Sequence, residues 1–447
     1  MHLDGPDADD LARALSGPQL EIPEDSLDEA LTVRLRRNGF LVDRDEDEVA
    51  LIRERYWAAR GNAPVVLLIT TTMDCNLGCY YCYESRSPDA LRIGDVEAVV
   101  EIARERLGRQ AKRSLHVDWY GGEPMMNLEF LEQASSALQS FCAEEGIAYH
   151  ASAISNGTHW PADVGPFVAR HKIREVQISF DGLKRNHDRR RRFRSGRRPS
   201  EDASSFDLAA DLVDELLRHT RVDVRFNADP GNADDLAGFI DFAAARGWFT
   251  APFPCVFMVA RLAAYSERSA FMRRREISDE EYEALLEVAR TKLPADAQDA
   301  QDVAAGFPLP KTSVCGALAP DSTVIGSDGL EYRCGLQVGE AQRAVGRFGE
   351  QREGETFADR EWWQQFDPTL AETCSACSFL PVCWGGCPKR HLDQSRVDLD
   401  REGRFWRTNL PRLIAAGFGE EPPAGFAYTK ADQFRSTARS ARRPRAV

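Results

Sequence analysis

The stretch Cys75-Asn76-Leu77-Gly78-Cys79-Tyr80-Tyr81-Cys82 directly follows an apolar run at residues 65–70 and points to the fold. Its three cysteines are spaced C-x3-C-x2-C, so one loop brings three thiolates together and supplies no fourth. A four-iron cluster needs four ligands, and three protein thiolates leave one iron open to a ligand that is not protein. The alternative is a zinc knuckle or a set of buried cysteines, but structural zinc sites usually have four closed ligands. The stretch therefore predicts a reactive iron site after a strand.

Composition limits the class of protein. A chain of 447 residues with 43% apolar residues is long enough for two or three domains. Its net charge of −14 and its pI near 5.2 argue against nucleic acid or an anionic membrane as the main partner, because both would be repelled over most of the surface. The sequence has no long uncharged apolar run and no basic-then-apolar N-terminal segment, so neither a membrane span nor a signal peptide is predicted. We therefore expect a cytoplasmic protein.

The eleven cysteines are unevenly distributed, and nine of them fall into spaced groups. Without a secretory signal, such groups are typical of metal or cluster ligands rather than of disulfides. A second system begins with Cys315 and Cys334 and continues as Cys374-x2-Cys377-x5-Cys383-x3-Cys387, a spacing that by itself also suits a zinc ribbon. Cys142 and Cys255 stand outside the groups and are predicted to be small buried hydrophobic residues.

Between residues 62 and 262, apolar runs alternate with helical periodicity, which is the pattern of repeated βα units around a parallel sheet. Six strands, each followed by a helix, predict an α/β fold with a partial (βα)6 TIM-like barrel. Its active site would lie at the carboxyl ends of the strands. The predicted strands are 65–70, 115–120, 149–155, 175–179, 222–227 and 254–259, and the predicted helices lie near 94–108, 128–145, 162–171, 206–218, 233–246 and 277–292.

Small and polar residues stand at the predicted strand ends. Gly121-Gly122-Glu123-Pro124 ends the second strand, where two glycines let the backbone approach a ligand and the carboxylate of Glu123 suits an ammonium group. Asn156 follows the third strand, and Ser179 and Asp181 end the fourth. Arg191 lies in a basic run at residues 189–198, whose ordinary interpretation is a solvated loop, although a guanidinium pairs well with a carboxylate.

Together the cysteine loop, the Gly-Gly-Glu-Pro motif and the run from Ser179 to Arg191 resemble the radical SAM enzymes. The resemblance implies a [4Fe–4S] cluster on Cys75, Cys79 and Cys82, whose open iron is chelated by S-adenosylmethionine (SAM). In that chemistry one electron breaks the S–C5′ bond, and a 5′-deoxyadenosyl radical takes a hydrogen atom from the substrate. The implied SAM contacts are Tyr81 near the adenine, Gly121, Gly122, Glu123 and Pro124 at the methionine amino group, Ser179 and Arg191 at the ribose and carboxylate, and the strand-end residues Asn156 and Asp181.

The second cysteine system, with Gly329 between its first two cysteines, resembles the SPASM extension, which carries auxiliary iron–sulfur clusters on a hairpin and loops that cap the barrel. One or two auxiliary clusters are therefore expected. Six cysteines are two short of the eight ligands that two four-iron clusters need, so either a carboxylate, a histidine, water or substrate fills the missing positions or one cluster is absent. His391 and Asp393 lie nearby in the sequence. By resemblance the first cluster is held by Cys315, Cys334 and Cys387, and the second by Cys374, Cys377 and Cys383.

The family resemblance implies modification of ribosomally made peptides or proteins. Sulfatase-maturing members have an aspartate directly after the second hairpin cysteine, where it accepts a proton, whereas Gly335 follows Cys334 here. The expectation is therefore a peptide maturase that oxidatively modifies, and most simply cross-links, a precursor peptide, with a reductant such as flavodoxin or ferredoxin. A sulfatase maturase that forms formylglycine is the alternative among enzymes. A non-catalytic iron–sulfur electron carrier or a zinc scaffold is the alternative outside them.

The chain divides into five predicted parts. Residues 1–61 form a small N-terminal module, interpreted either as a peptide-recognition element or as a strand and helix that cover one edge of the main domain. The radical SAM core at 62–262 and a helical bridge at 263–310 lead to the SPASM domain at 311–410. The last part, 411–447, ends in a tail that is predicted to be disordered because it carries arginines and no acid.

Overall fold

The computed structural model describes residues 27–37, 41–43, 46–297, 310–349, 356–417 and 427–434. Its centre is a nine-stranded sheet made of β1 (Val65–Thr72), β2 (Ser114–Gly121), β3 (Ala148–Ser155), β4 (Ile173–Phe180), β5 (Arg221–Ala228), β6 (Cys255–Arg261), β7 (Thr323–Ile325), β8 (Leu330–Tyr332) and β9 (Gly346–Arg347). Strands β1 to β6 lie side by side in chain order and are all parallel. The six predicted strands are therefore confirmed, and their ends differ from the predicted ones by at most a few residues.

Helices connect the six parallel strands and return the chain to the start of the next one, as parallel pairing requires. The six predicted helices are confirmed. One short helix at Lys184–Arg190 was not predicted, and it carries the first residues of the basic run. The helices before and among the strands are α1 (Glu29–Arg37), α2 (Glu48–Asn62), α3 (Val96–Gly108), α4 (Leu128–Glu144), α5 (Val164–Arg170), α6 (Lys184–Arg190), α7 (Ser205–Leu216), α8 (Asp235–Ala245) and α9 (Asp279–Lys292).

The two faces of the sheet differ in polarity because successive side chains of a strand point to opposite sides. On β2, Val117 and Trp119 are fully buried in the apolar core that the sheet shares with its helices, and Asp118 between them is half-buried on the other face. Cys142 and Cys255 belong to the same apolar core, as predicted. The face of the sheet opposite the apolar core, called the inner face below, is therefore the more polar one. The site residues lie where this face reaches the carboxyl ends of the strands.

The cysteine-rich C-terminal region continues the same sheet. β7 pairs in parallel with β1, and β8 and β9 follow it as antiparallel neighbours. The hairpin expected by resemblance is therefore present, and it extends the sheet beyond β1. The helices of this region are α10 (Asp359–Gln365), α11 (Glu372–Ser375), α12 (Leu380–Cys383), α13 (Pro388–Leu392), α14 (Arg396–Gly417) and α15 (Lys430–Gln433).

The N-terminal module differs from its prediction. Its predicted helix is confirmed as α2, but the segment before it is helical in α1, where Leu31 and Leu35 stand one turn apart and are both buried. The expected strand is therefore wrong for the described residues. Helix α2 covers the cysteine-rich region, because the hydroxyl of Tyr56 donates to the carbonyl of Phe366 (2.9 Å) and packs near Trp384.

Two predicted features lie outside the described residues. They are the basic tail at 435–447 and the end of the bridge at 298–309. None of the described helices combines the length and the apolar character that a membrane crossing needs.

Candidate active site

The cysteine loop follows β1 and is fixed to the segment after α6. Leu77 forms an isolated antiparallel bridge with Phe193, and the N–H of Gly78 donates to the carbonyl of Arg192 (2.7 Å). These bonds satisfy backbone groups that an irregular loop would otherwise leave unpaired. Cys79 is buried in a small apolar cluster with Leu77, Tyr81, Leu262 and Met272, and Cys75 and Cys82 pack against that cluster.

Burial controls the ionisation of the loop thiols. It raises the pKa of Cys82 to about 11, with the negative charge of Glu84 adding to the effect, and it also raises the pKa of Cys75 and of Cys79. The metal-free thiols are therefore protonated near neutral pH. This argues against a nucleophilic cysteine, because the thiolate is the reactive form. A bound cluster would take the three groups as thiolates and release their protons.

The two glycines of the Gly-Gly-Glu-Pro motif allow close approach to the loop. Gly121 has a φ of 138°, and a side chain there would collide with the carbonyl oxygen of Thr72. A side chain at Gly122 would collide with the carbonyl oxygen of Asp74, next to Cys75. Only glycine lets the end of β2 lie this close to the start of the cysteine loop.

Glu123 is fully buried at the end of β2 and ties three segments together. Its Oε1 accepts from the hydroxyl of Ser155 (2.9 Å) and from the N–H of Met125 (3.3 Å), and its Oε2 accepts from the N–H of Asn156 (2.7 Å). Burial raises the pKa of Glu123 to about 7, and the three hydrogen bonds oppose that rise. The carboxylate is therefore held at the carboxyl ends of β2 and β3 in a state that titrates near neutral pH.

Asn156 connects the end of β3 to the cysteine loop. Its Nδ2 donates to Oδ1 of Asn76 (2.9 Å) and lies 3.6 Å from the Sγ of Cys75. Its Oδ1 accepts from the hydroxyl and the N–H of Thr158. The side chain is therefore oriented from both sides, which fixes the position of Cys75 relative to the sheet.

Tyr81, Asp181 and Arg191 form one buried group. The hydroxyl of Tyr81 donates to Oδ1 of Asp181 (2.8 Å), and Nη1 of Arg191 donates to the same hydroxyl (2.8 Å). Arg191 also lies 3.6 Å from Asp181, so its buried charge is balanced. The neighbouring His187 is buried as well, and burial holds its pKa well below the usual value, so it is neutral. Arg191, a member of the run interpreted as a solvated loop, is therefore part of the interior.

Three residues of this group were not predicted. Arg190 is buried and donates to Asp181 (3.1 Å) and, through both Nη atoms, to Asp229 (3.0 and 2.9 Å). Asn227 donates to Asp181 from the end of β5 (3.2 Å). Asn227 and Asp229 stand at the carboxyl end of a predicted strand. The argument from polar residues at strand ends, which predicts Asn156 and Asp181, therefore applies to them as well. Arg190 gave no such signal, because it stands within a run of arginines, most of which are exposed.

The other predicted SAM contacts are less closely connected. Pro124 begins a short 3-10 helix, Pro124–Asn127, and its carbonyl accepts from the hydroxyl of Thr71 (3.0 Å). Ser179 is half-buried on β4, opposite Arg225 of β5. The structure thus brings together Tyr81, Asp181 and Arg191 as one group, and Glu123 and Asn156 with Cys75 as another, whereas Ser179 stands apart on the inner face.

A second polar group, also not predicted, lies between the loop and the C-terminal hairpin. The hydroxyls of Tyr83 and Tyr120 are 2.6 Å apart, and Tyr120 also hydrogen-bonds the carboxyl of the half-buried Glu84, whose pKa desolvation raises to about 7. A Cβ placed on Gly335 would lie 3.8 Å from the ring of Tyr120 and 3.4 Å from Leu68. Residue 335 therefore faces the middle of β1 and the carboxyl end of β2. It lies close to the group formed by Tyr83, Glu84 and Tyr120.

The six C-terminal cysteines gather in two groups of three. Burial raises the pKa of Cys334 to about 12, and negative charge on Cys315 and Cys387 raises it further, so these three thiols are neighbours. The pKa of Cys383 is raised to about 12 by burial, and Cys374 and Cys377 are among the charges that add to it. In the described part of the chain, no three His, Cys, Asp or Glu side chains converge closely enough to hold a single metal ion.

A basic cavity of about 460 Å³ adjoins the cysteine loop. Its one acidic wall residue, Asp229, accepts from Arg190 and from the hydroxyl of Tyr80 (2.7 Å), so its charge is already balanced. Tyr80 directly follows Cys79 and is 38% exposed, which makes the loop itself part of the wall. The lining residues are Tyr80, Arg189, Arg190, Asp229, Pro230, Gly231, Arg274 and Arg275.

The residues of the site fit a cluster that binds SAM. Three thiols on one loop leave one position of a four-iron cluster without a protein ligand. Nε of Arg191 is buried and has no hydrogen-bond partner in the described structure, so a donor is available to a carboxylate or ribose oxygen. Glu123 is the buried acidic group that an ammonium would meet.

Comparisons with known proteins agree with this geometry. Residues 69–216 match the Radical SAM superfamily. The chain is 31% identical over 107 residues to the serine-type anaerobic sulfatase-maturating enzyme of Klebsiella pneumoniae, covering 23% of this chain and 27% of that enzyme. It is 20% identical over 168 residues to the radical SAM cyclopropyl synthase TigE of Paramaledivibacter caminithermalis, covering 33% and 35%. The chain thus matches about a quarter to a third of the length of these curated relatives.

The fold likeness extends over more of the chain than the sequence likeness. Native anSMEcpe with bound AdoMet and Kp18Cys peptide is similar with a TM-score of 0.59 at 21% identity, covering 80% of this chain and 100% of that one. At this identity the likeness concerns the fold. Residues 69–216 are therefore similar in sequence to the Radical SAM superfamily, and the chain as a whole shares the fold of anSMEcpe.

Proposed function

We propose that this chain is a cytoplasmic peptide maturase that oxidatively modifies, most simply by a cross-link, a ribosomally made precursor peptide. The observation that carries the proposal is the convergence of the three-cysteine loop, the buried carboxylate of Glu123 and the hairpin residue Gly335 at one end of the sheet. Closing a link between two peptide residues removes two hydrogens overall. A site with one open cluster and a second cysteine system nearby suits a reaction that removes electrons in two steps.

The cofactors proposed are SAM, the [4Fe–4S] cluster on Cys75, Cys79 and Cys82, and one or two auxiliary clusters. When bound, the first cluster and SAM supply a 5′-deoxyadenosyl radical that takes a hydrogen atom from the substrate. Glu123 would attract the methionine ammonium, and Arg191 would donate its unpartnered Nε to the cofactor. The ring of Tyr81, whose hydroxyl donates to Asp181, would form the wall of the site beside the adenine. Burial of these groups keeps water away from the reacting end.

The substrate would enter beside Gly335. A residue without a side chain leaves room between the hairpin and Tyr120, and it places no acid directly after Cys334. The acidic and phenolic group of Tyr83, Glu84 and Tyr120 would line this entrance with hydrogen-bonding partners. This arrangement favours a peptide held by polar contacts at the mouth of the barrel over a small apolar substrate.

A test uses anaerobically reconstituted, reduced protein with SAM and the peptide encoded beside its gene. The expected products are 5′-deoxyadenosine and a peptide lighter by two hydrogens, measured by mass spectrometry. The variant with Cys75, Cys79 and Cys82 all changed to alanine should lose SAM cleavage and retain the auxiliary-cluster absorbance. Cleavage of SAM with the peptide left unchanged would count against a maturase of this peptide.

A sulfatase maturase is the second candidate, favoured by the sequence match to the Klebsiella enzyme. Gly335 argues against it, because it offers no carboxylate at that position. A short sulfatase peptide containing serine or cysteine, offered in the same assay, should stay unmodified. Formation of formylglycine would support the second candidate. A non-catalytic electron carrier would cleave no SAM, and a zinc scaffold would contain negligible iron instead of about 12 atoms for three clusters.

A further inference from the structure

The carboxylate of Glu402 lies against a glycine turn of the cysteine-rich region. Glu402 projects from the long helix α14 toward the turn Gly385-Gly386, where both glycines have positive φ values of 79° and 69°. A Cβ placed on Gly386 would be 3.0 Å from Cγ and Cδ of Glu402 and 3.3 Å from its Oε2. The turn joins Cys383 to Cys387. Helix α14 therefore places one acidic side chain against the segment between these two cysteines.

The same turn lies against the thiols. A Cβ placed on Gly385 would be 3.7 Å from the Sγ of Cys374. The N–H of Gly386 donates to the carbonyl of Cys383 (3.2 Å), so the turn that Glu402 contacts is also bonded to that cysteine. The turn therefore contacts Glu402 through Gly386 and the Sγ of Cys374 through Gly385.

The two oxygens of Glu402 have different surroundings. Oε1 is paired with the guanidinium of Arg390, whereas Oε2 is the oxygen that faces Gly386. Arg390 thus orients the carboxylate through one oxygen and leaves the other toward the turn, in the way that hydrogen-bonding neighbours commonly hold a metal ligand in place. The side chain of Glu402 is 29% exposed, so it can be reached during cluster assembly.

The neighbouring side chains are less suited to bind iron. Nε2 of His391 lies 2.7 Å from the carbonyl of Gly385, which makes that nitrogen a donor, and its ring packs 5.0 Å from that of Phe366. Asp393 forms ion pairs with Arg343 (3.2 Å) and with Lys389. The two residues singled out from the sequence are therefore engaged elsewhere.

We propose that Glu402 is the fourth protein ligand of an auxiliary iron–sulfur cluster held by Cys374, Cys377 and Cys383. The inference rests on the auxiliary clusters of the proposed function. A carboxylate oxygen is a harder and weaker iron ligand than a thiolate, so this cluster should have a higher reduction potential than a four-cysteine cluster. The group of Cys315, Cys334 and Cys387 then remains the one with three thiolates.

The test compares the reconstituted full chain with E402A, E402C and the control D400N, which lies on the same helix and removes a surface acid paired with Lys430. E402A should lose iron, by up to about four atoms per chain, or give the EPR signal of a three-iron cluster after mild oxidation. E402C should restore the iron content and lower the midpoint potential of one cluster. D400N should match the parent in iron content, EPR spectrum and potential.

Two results would overturn the inference, one concerning Glu402 as a ligand and the other concerning the auxiliary cluster itself. If E402A has the iron content, EPR spectrum and potentials of the parent, Glu402 is not a ligand. A variant with Cys374 and Cys377 changed to alanine separates this outcome from failure of the auxiliary cluster itself. If that variant also keeps the iron content of the parent, no cluster is held there, and this part of the proposed function fails. Circular dichroism of each variant distinguishes loss of the ligand from loss of the fold.

Discussion

At the scale of single residues, Glu123 is the group whose ionisation matters most. Both of its oxygens already accept hydrogen bonds from the protein, and it is fully buried. Burial of a carboxylate away from a cation favours its neutral form, which is why its pKa is raised to about 7. An arriving ammonium group would reverse this preference. Binding of SAM and ionisation of Glu123 are therefore coupled.

This coupling predicts how SAM affinity depends on pH. Below about pH 7 the carboxyl of Glu123 is largely protonated and attracts the ammonium weakly, so affinity should rise with pH through about 7 and then level off. E123Q cannot ionise, so it should bind SAM about tenfold or more weakly and lose this pH dependence. Calorimetric titration of the cluster-loaded proteins on both sides of pH 7 measures both effects. Equal affinities of E123Q and the parent at high pH would contradict the role of this carboxylate.

Residue patterns could predict part of the site. Glu123, Asn156 and Asp181 stand at strand ends, and the position of a strand end follows from local periodicity. Arg190 could not be found in this way, because it is next to charged residues in the sequence and becomes buried only through tertiary contacts. Burial of Arg190 depends on aspartates from two different strand ends, a property that no local pattern contains.

At the scale of elements, α2 acts as a brace for the cysteine-rich region. Arg60 is buried, and its guanidinium donates to the carbonyls of Trp363 (3.0 Å) and Phe366 (2.8 Å) while stacking on the ring of Trp57 (4.5 Å). The carbonyl of Trp363 belongs to the last turn of α10 and that of Phe366 to its C-cap, where intrahelical partners are missing. The N-terminal module therefore satisfies groups of the C-terminal extension.

Replacing Arg60 should loosen this contact. R60M keeps much of the apolar stem but leaves the carbonyl of Trp363 without its donor, so the free energy of unfolding should fall by about 1–3 kcal/mol. Denaturant titration followed by tryptophan fluorescence measures the change, since Trp363 is buried beside the contact. The control R55M, an exposed arginine on the same helix, should change the stability by less than about 0.5 kcal/mol. Equal stabilities of R60M and R55M would show that α2 is not a brace.

Elements differ in how far the sequence predicts them. Strands β1 to β6 have apolar runs and following helices, so local periodicity was sufficient for each. β7 has three residues, too few for any periodicity, and its pairing with β1 joins segments more than 250 residues apart. The position of α2 was also beyond local patterns, because its partners Trp363 and Phe366 come from the other end of the chain.

At the scale of the whole molecule, charge is distributed unevenly. The chain carries a net charge of −14, yet the cavity beside the cysteine loop is lined by four arginines and one aspartate that is already paired. A small acidic electron-transfer protein of the flavodoxin or ferredoxin class would be repelled by most of the surface and attracted here. The cavity wall includes Tyr80, next to Cys79, so such a donor would dock close to the proposed cluster. We therefore propose this basic cavity as the docking site of the reductant.

Charge reversal tests this site without altering the cysteine loop. R189E/R274E changes two lining residues and spares Arg275, whose guanidinium stacks on Tyr80 (5.5 Å). Because like charges slow the encounter, the KM for reduced flavodoxin in SAM cleavage should rise about tenfold, and the rate should lose its sensitivity to salt. Reduction by dithionite, a small chemical donor, should proceed within about twofold of the parent rate, since it needs no protein docking. R174E, an exposed arginine at the opposite end of β4, serves as the control and should leave the KM unchanged. A double variant with the KM and salt dependence of R174E would place the donor elsewhere, and the basic cavity would then have no part in electron delivery.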